Sequence, residues 1–386
     1  MRFRGLDGFR GICALLVALY HLPLYSHLTG PQFFLPNAQM MLDFFFVMSG
    51  FVIAGAYGDR LKTWGDFGDF AVRRFGRLWP LHAAVLGALV AIEVAKAVIA
   101  PDAGRTPVFS GIHSPESIIT NLLLIHSLHL HSLLTWNAPS WTVSVEFYTY
   151  LIYAALVLVA PRRPLLSATV MMAIGAFGVI FIARQLAATF DFGIFRCFYG
   201  FFCGVLVWRI WRAKPLSLPG RPWLGTVVEA AMTVGVFAYV ALIGGPPLGY
   251  AGPLVFGLFI WVYASEQGRV TRFFGVGPLV WLGEISYSIY LVHYLIIVVV
   301  GLCLRSMERV LHLDYAQMGM HGLDDGWFIR LPTQGAMDPF VLVYLAVVIL
   351  VASQTYRFIE QPGRALIRPP RRSRPLASIT PVVETR

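Results

Sequence analysis

An imidazole and a guanidinium on one stripe of an apolar helix are the first chemistry this chain offers. His21 lies in the apolar run 11–27, and Arg10 closes the front end of that run. Their separation of eleven residues is three helical turns plus about 20°, so both side chains face one way, roughly 16 Å apart in height. In a bilayer with a hydrocarbon core of roughly 30 Å, the imidazole falls near the midplane. Ionisable groups at that depth are costly and read as functional by default. The bland alternative is a histidine hydrogen-bonded to a neighbouring helix for packing alone.

Other polar groups are expected near the same level. Counting from the outer end of each apolar run puts Glu146 roughly 12 Å down and Asp43 roughly 8 Å down. His293 also reaches the outer half, and Ser286, Tyr290 and His293 recur at i, i+4 and i+7 on one helix face. Two carboxylates and two imidazoles at one depth suggest a shared polar chamber. An imidazole oriented by a carboxylate is a general base. Serine, tyrosine and backbone donors could stabilise an oxyanion. Such a set suits deprotonation of an alcohol for acyl transfer, and equally a proton relay in a transporter or flippase.

A second signal lies on the inner side. Arg73, Arg74 and Arg77 follow an aromatic and acidic turn, 64–70, and lead into an apolar run at Leu78. Arg74 and Arg77 share a helix face, with Arg10 at the same level. Guanidinium matches phosphate oxygens bidentately, so three of them at an inner entrance suit a phosphate-bearing donor. Positive-inside anchoring is the competing explanation for each one alone.

The elements that must hold these groups are membrane helices. The chain has 386 residues, of which 57% are hydrophobic and 13% charged, a composition that predicts an all-α, polytopic bundle. About ten runs are long enough to span: 11–28, 38–57, 78–99, 138–160, 165–188, 193–211, 226–243, 250–265, 279–304 and 339–359. With both termini in the cytoplasm, only Lys96, Arg105, Arg184, Arg196, Arg305, Arg309 and Arg330 of the 30 Lys and Arg fall at or beyond the outer ends, as the positive-inside rule asks. The stretch 118–134 would invert that pattern if it crossed, so it is expected to be re-entrant or interfacial. Its His126, His129 and His131 have a weak metal-ligand spacing, and no metal is expected.

The net charge of +10 follows from topology, and no nucleic-acid partner is expected. The Pro/Arg-rich tail, 365–386, is expected to be a disordered cytoplasmic segment touching anionic lipid headgroups. Cys13, Cys197, Cys203 and Cys303 lie within the runs and read as small apolar fillers. No cleavable leader is expected at the start. The longest outer loop, 305–338, carries Asp314, Asp324, Asp325 and Trp327, and is read mainly as a solvated loop.

Six blocks in order carry a resemblance. RGLDGFRGICALLVALYH (4–21), DFFFVMSGFVIA (43–54), FAVRRFGRLWPLH (70–82), PSWTVSVEFY (139–148), LGEISYSIYLVH (282–293) and YRFIEQPGR (356–364) are together similar to the acyltransferase-3 family of integral membrane O-acyltransferases, over 1–364. Thr142 stands where the family usually has serine. The resemblance implies a cytoplasmic acyl-coenzyme A donor, usually acetyl, and a hydroxyl acceptor on a cell-envelope or exported glycan. The implied setting is the bacterial inner membrane.

Carried over by residue, His21 would be the catalytic base or first acyl acceptor, with Glu146 or Asp43 as its orienting acid. Arg10, Arg74 and Arg77 would hold the coenzyme, and Trp141, Ser286, Tyr290 and His293 would complete the substrate contacts. Glu360 would be an ion-pair partner of Arg357 or Arg364. Many relatives carry a further soluble domain; here transfer would finish within the membrane domain or with a separate extracytoplasmic partner. A small secreted glycosylated metabolite is the alternative acceptor.

Overall fold

Apolar runs punctuated by Gly, Pro and short charged turns fold here as helices. The computed structural model describes residues 2–24, 26–29, 35–99, 107–218, 221–242, 246–311, 316–318, 327–329 and 334–367. Its helices are α1 (Arg4–His21), α2 (Met41–Tyr57), α3 (Trp64–Ile99), α4 (Pro115–Leu122), α5 (Trp141–Val159), α6 (Pro164–Phe177) and α7 (Gly193–Ala213). Then come α8 (Pro222–Leu242), α9 (Gly252–Tyr263), α10 (Arg269–Phe274), α11 (Gly277–Glu284), α12 (Ser286–Leu311), α13 (Gln334–Thr355) and α14 (Gln361–Leu366). One short antiparallel pair, β1 (Ala316–Met318) with β2 (Trp327–Ile329), bridges at Ile329 to Leu24, just past the end of α1. Asp314, Asp324, Asp325 and the tail from Arg368 onward lie outside the described residues.

Apart from that short strand pair, the described residues fold as a helical bundle, as expected. Among the described residues, eight helices are long and apolar enough to cross a membrane, and they coincide with eight of the expected runs. The other two expected runs are α1, which carries Arg4, Asp7 and Arg10, and α9. With 12 residues, α9 is about 18 Å long, short of a hydrocarbon core of roughly 30 Å.

Residues 64–70, expected as a turn, are the first two turns of α3. A reciprocal cap explains the difference: Thr63 Oγ1 accepts from the Asp66 N–H (3.1 Å), and Asp66 Oδ2 accepts from the Thr63 N–H (2.9 Å). That satisfies donors left open at a helix start. The helix runs for 36 residues in all, through Pro80, which lacks the N–H that would bond back one turn. Close packing of α14 covers that weak turn, with Gly363 against Pro80 and Gly76 against Ile367.

The stretch 118–134 does not span. α4 ends at Leu122, and the chain runs irregularly to a 3₁₀ turn, Ala138–Ser140, that leads α5. Leu124, His126 and Ser127 are buried, whereas Ile119, Leu123, Leu130 and Leu133 are exposed, an apolar face suited to lipid. The carbonyls of Leu122, Leu123 and Leu124 accept from Trp79 Nε1 (2.9 Å), Tyr148 OH (3.1 Å) and Ser144 Oγ (2.6 Å). Irregular backbone within a membrane requires this kind of cover by protein.

Glycine sets the closest approach in the core. Gly50 of α2 lies against the Phe201 carbonyl of α7, and Gly204 of α7 against the Val47 carbonyl of α2. A side chain at either position would meet backbone, so these small residues let the two helices touch directly.

Candidate active site

Three guanidiniums line a partly open cavity of about 250 Å³. Arg10 comes from α1, Arg74 and Arg77 from α3. Arg10 Nη2 donates to the Gly283 carbonyl (2.6 Å) and lies 3.6 Å from Asp7. Arg74 Nη2 donates to Tyr57 OH (2.9 Å), and its guanidinium lies over the Tyr57 ring at 5.0 Å. Arg77 pairs with Glu360 and lies over the Tyr287 ring at 5.1 Å. The buried Nε groups of Arg10 and Arg74 have no hydrogen-bond partner among the described residues. An N–H buried without a partner costs about 1–3 kcal/mol.

Glu146 lines the same cavity. One of its oxygens accepts from Ser49 Oγ (2.6 Å) and Tyr150 OH (2.5 Å). Tyr150 is one turn along α5 from Glu146, so a single helix face supplies both. Placing Glu146 at the level of His21 therefore needs correcting: it shares a wall with the arginines. The cause is the irregular segment ahead of α5. That segment starts at Leu122, whose carbonyl meets Trp79, two residues past Arg77, and it leads α5 to pack Phe147 against Phe75 of α3 at 5.9 Å.

Asp43 is also placed differently from expectation. Its carboxylate is held by Arg196 of α7 through Nε (2.8 Å) and Nη2 (2.9 Å), and Nη2 also reaches the Gln39 carbonyl (3.0 Å). Trp141 packs beside this pair, with the guanidinium 5.7 Å from its ring. Neither Asp43 nor Trp141 lines the cavity. Sequence position puts Arg196 at an outer helix end; it is buried instead, and an arginine buried in an apolar run must find a countercharge, here Asp43.

Beyond the cavity stand the two imidazoles. Ser286 and Tyr290 of α12 line its wall. Tyr290 OH donates to the Pro139 carbonyl (2.6 Å) and accepts from Thr142 Oγ1 (3.0 Å). The Tyr290 ring lies 5.9 Å from that of His293, and His293 Nε2 lies 3.2 Å from His21 Nδ1. His21 Nδ1 is also 2.9 Å from the Val17 carbonyl. No carboxylate hydrogen-bonds His21 among the described residues, so the expected pairing with Glu146 or Asp43 is replaced by one with His293.

Glu360 is more deeply engaged than expected. It is 1% exposed and pairs with Arg77 and Arg364, not with Arg357, while Ser288 Oγ donates to it (2.6 Å). A π-helical segment, Tyr356–Glu360, ends on this residue. Of the three outer histidines, His126 contacts Ser140, His131 contacts Thr120, and His129 stacks on Phe192.

Fold and site together define a helical membrane protein with a cavity lined by three arginines, and with a histidine pair next to Tyr290 of its wall. The acyltransferase domain model matches residues 3–353, and the chain belongs to this acyltransferase-3 family; it is an O-acyltransferase. It is 26% identical to the acyltransferase MdmB of Streptomyces mycarofaciens, over 98% of this chain and 95% of MdmB. It is 24% identical to the peptidoglycan O-acetyltransferase OatA of Listeria monocytogenes, over 76% of this chain but 49% of OatA. Protein 2 in the picA locus of Rhizobium radiobacter is 30% identical over 40% of this chain and 81% of its own length. No solved structure matches at comparable significance.

Proposed function

We propose that the protein transfers an acyl group, most simply acetyl, from cytoplasmic acyl-coenzyme A to a hydroxyl of an envelope or exported glycan. The observation that carries this reading is a cavity lined by Arg10, Arg74 and Arg77, two of which hold a buried, unpartnered N–H, together with an imidazole pair that lies outside it next to Tyr290 of its wall. A space of about 250 Å³ admits a slender thioester arm and not a whole nucleotide. The nucleotide phosphates would therefore rest on the arginines, donors whose geometry matches them.

In this reading the acceptor hydroxyl arrives from the outer side. His21 Nε2 takes its proton as the oxygen attacks the thioester carbonyl, the carbon–sulfur bond breaks, and the departing thiolate sulfur takes the proton from His21. Tyr290 and Thr142 fix the cavity wall beside the reacting end. Glu146 supplies the countercharge that keeps Arg74 and Arg77 from repelling one another. Asp43, through Arg196, locks α2 to α7 and acts on the reaction only by position. The setting is the bacterial inner membrane, with both termini in the cytoplasm and the coenzyme as donor substrate.

The test uses the purified protein in lipid nanodiscs with acetyl-coenzyme A, following release of free thiol. The expected result is thiol release that depends on added glycan fragments, with acetate recovered as an ester on them. Release that no glycan stimulates, but that a small glycosylated metabolite does, would replace the glycan by the metabolite as acceptor.

A further inference from the structure

We infer that His293 orients His21, filling with a neutral imidazole the place a carboxylate takes in other histidine bases; this rests on His21 being the base. The hydrogen bonds fix the tautomers. His293 Nδ1 lies 3.2 Å from the Ile289 carbonyl, and a carbonyl only accepts, so this nitrogen carries the proton. His293 Nε2 is then a lone pair, and it faces His21 Nδ1 at 3.2 Å. His21 Nδ1 lies 2.9 Å from the Val17 carbonyl, which requires the proton on that nitrogen too. One assignment satisfies all three contacts, with the single His21 Nδ1–H shared between the Val17 carbonyl and His293 Nε2. It leaves the lone pair of His21 Nε2, which has no partner among the described residues, as the basic atom.

The second imidazole has a specific effect on the first. When His21 Nε2 gains a proton, its Nδ1–H becomes a stronger donor, and the bond to His293 tightens in the charged state. His293 is fully buried, so water does not compete for its lone pair. The ring centroids are 5.0 Å apart and the planes 35° apart, and the two residues come from α1 and α12. The spacing of His21 and His293 in sequence therefore gives no hint of the pair. Other groups near it are Tyr20 at 5.0 Å from the His21 ring, Tyr290, and Tyr344, whose OH donates to the Ala18 carbonyl (3.2 Å). None of them supplies an acceptor to His21 Nδ1.

The test compares His293→Phe with His293→Gln in the full chain, alongside His21→Ala. Phe keeps the ring volume and removes the acceptor; a Gln side-chain carbonyl can reach the position of Nε2. The expected result for His293→Phe is a fall in kcat of about 10- to 100-fold, the loss of one hydrogen bond to a charged group, with KM for acetyl-coenzyme A unchanged. His293→Gln should recover much of it. Parental kcat in His293→Phe, or a loss that Gln does not recover, would overturn the pairing while leaving an inactive His21→Ala, and the base assignment, intact. Full activity in His21→Ala would remove both. Should His293→Phe not accumulate, nitrogen-15 spectra of histidine-labelled parent protein decide: protonated Nδ1 on both rings is expected, and a protonated Nε2 on neutral His293 contradicts it.

Discussion

His21→Ala is expected to lower acyl transfer by about 10²- to 10⁴-fold, the range a positioned general base supplies. The protein should still accumulate in membranes. His21 is the last residue of α1 and is only partly buried, and its ring bonds to its own helix and to His293 alone among the described residues. Truncation there removes no core contact comparable to that of Phe9 and Phe44, which are fully buried and meet edge to face at 5.1 Å. Coenzyme A affinity should be unchanged, because the arginines line the cavity and His21 does not. Acylation at the parental rate would mean that another group takes the hydroxyl proton.

Arg74→Ala is expected to weaken coenzyme A binding by about 10- to 100-fold, the worth of one charge-assisted hydrogen bond to phosphate. Isothermal titration against the purified variant measures it. Arg74 is the cleaner of the two α3 positions. Its fixed partners are Tyr57 OH and the rings of Tyr57, Phe70 and Tyr150, all of which tolerate its loss. Arg77→Ala should weaken binding similarly but also destabilise the protein. It removes one of the two guanidiniums on buried Glu360, leaving Arg364 and Ser288 to hold that carboxylate, and stripping partners from a buried charge is costly. A dissociation constant for Arg74→Ala equal to the parent's would reduce the arginine to a topology anchor.

What the sequence revealed, and what it hid, divides along physical lines. Apolar length marked the membrane helices, and the cost of charge in lipid marked His21, Asp43, Glu146 and His293. Helix geometry put Ser286, Tyr290 and His293 on one face of α12, and all three stand along the cavity or next to it. Depth was the first failure. Counting residues from an assumed outer end misplaced Glu146, because an irregular segment leads into α5. Partnership was the second. Asp43 with Arg196, Arg77 with Glu360, and His21 with His293 each join helices distant in the chain, and spacing along one helix says nothing about them. The unmatched arginine in α7 was a legible clue. The serine and tyrosines around Glu146 and Arg77 were not, since Ser49, Tyr150 and Tyr287 are ordinary residues in apolar runs until a charge is seen beside them.

The most direct measurement of transfer across the membrane uses sealed vesicles of both orientations, loaded with acceptor glycan and supplied externally with radiolabelled acetyl-coenzyme A. Inside-out vesicles, which expose the arginine end to the medium, should esterify the enclosed glycan, and right-side-out vesicles should not. Equal labelling in both orientations, or labelling only when the coenzyme reaches the histidine side, would contradict a donor that enters from the cytoplasm.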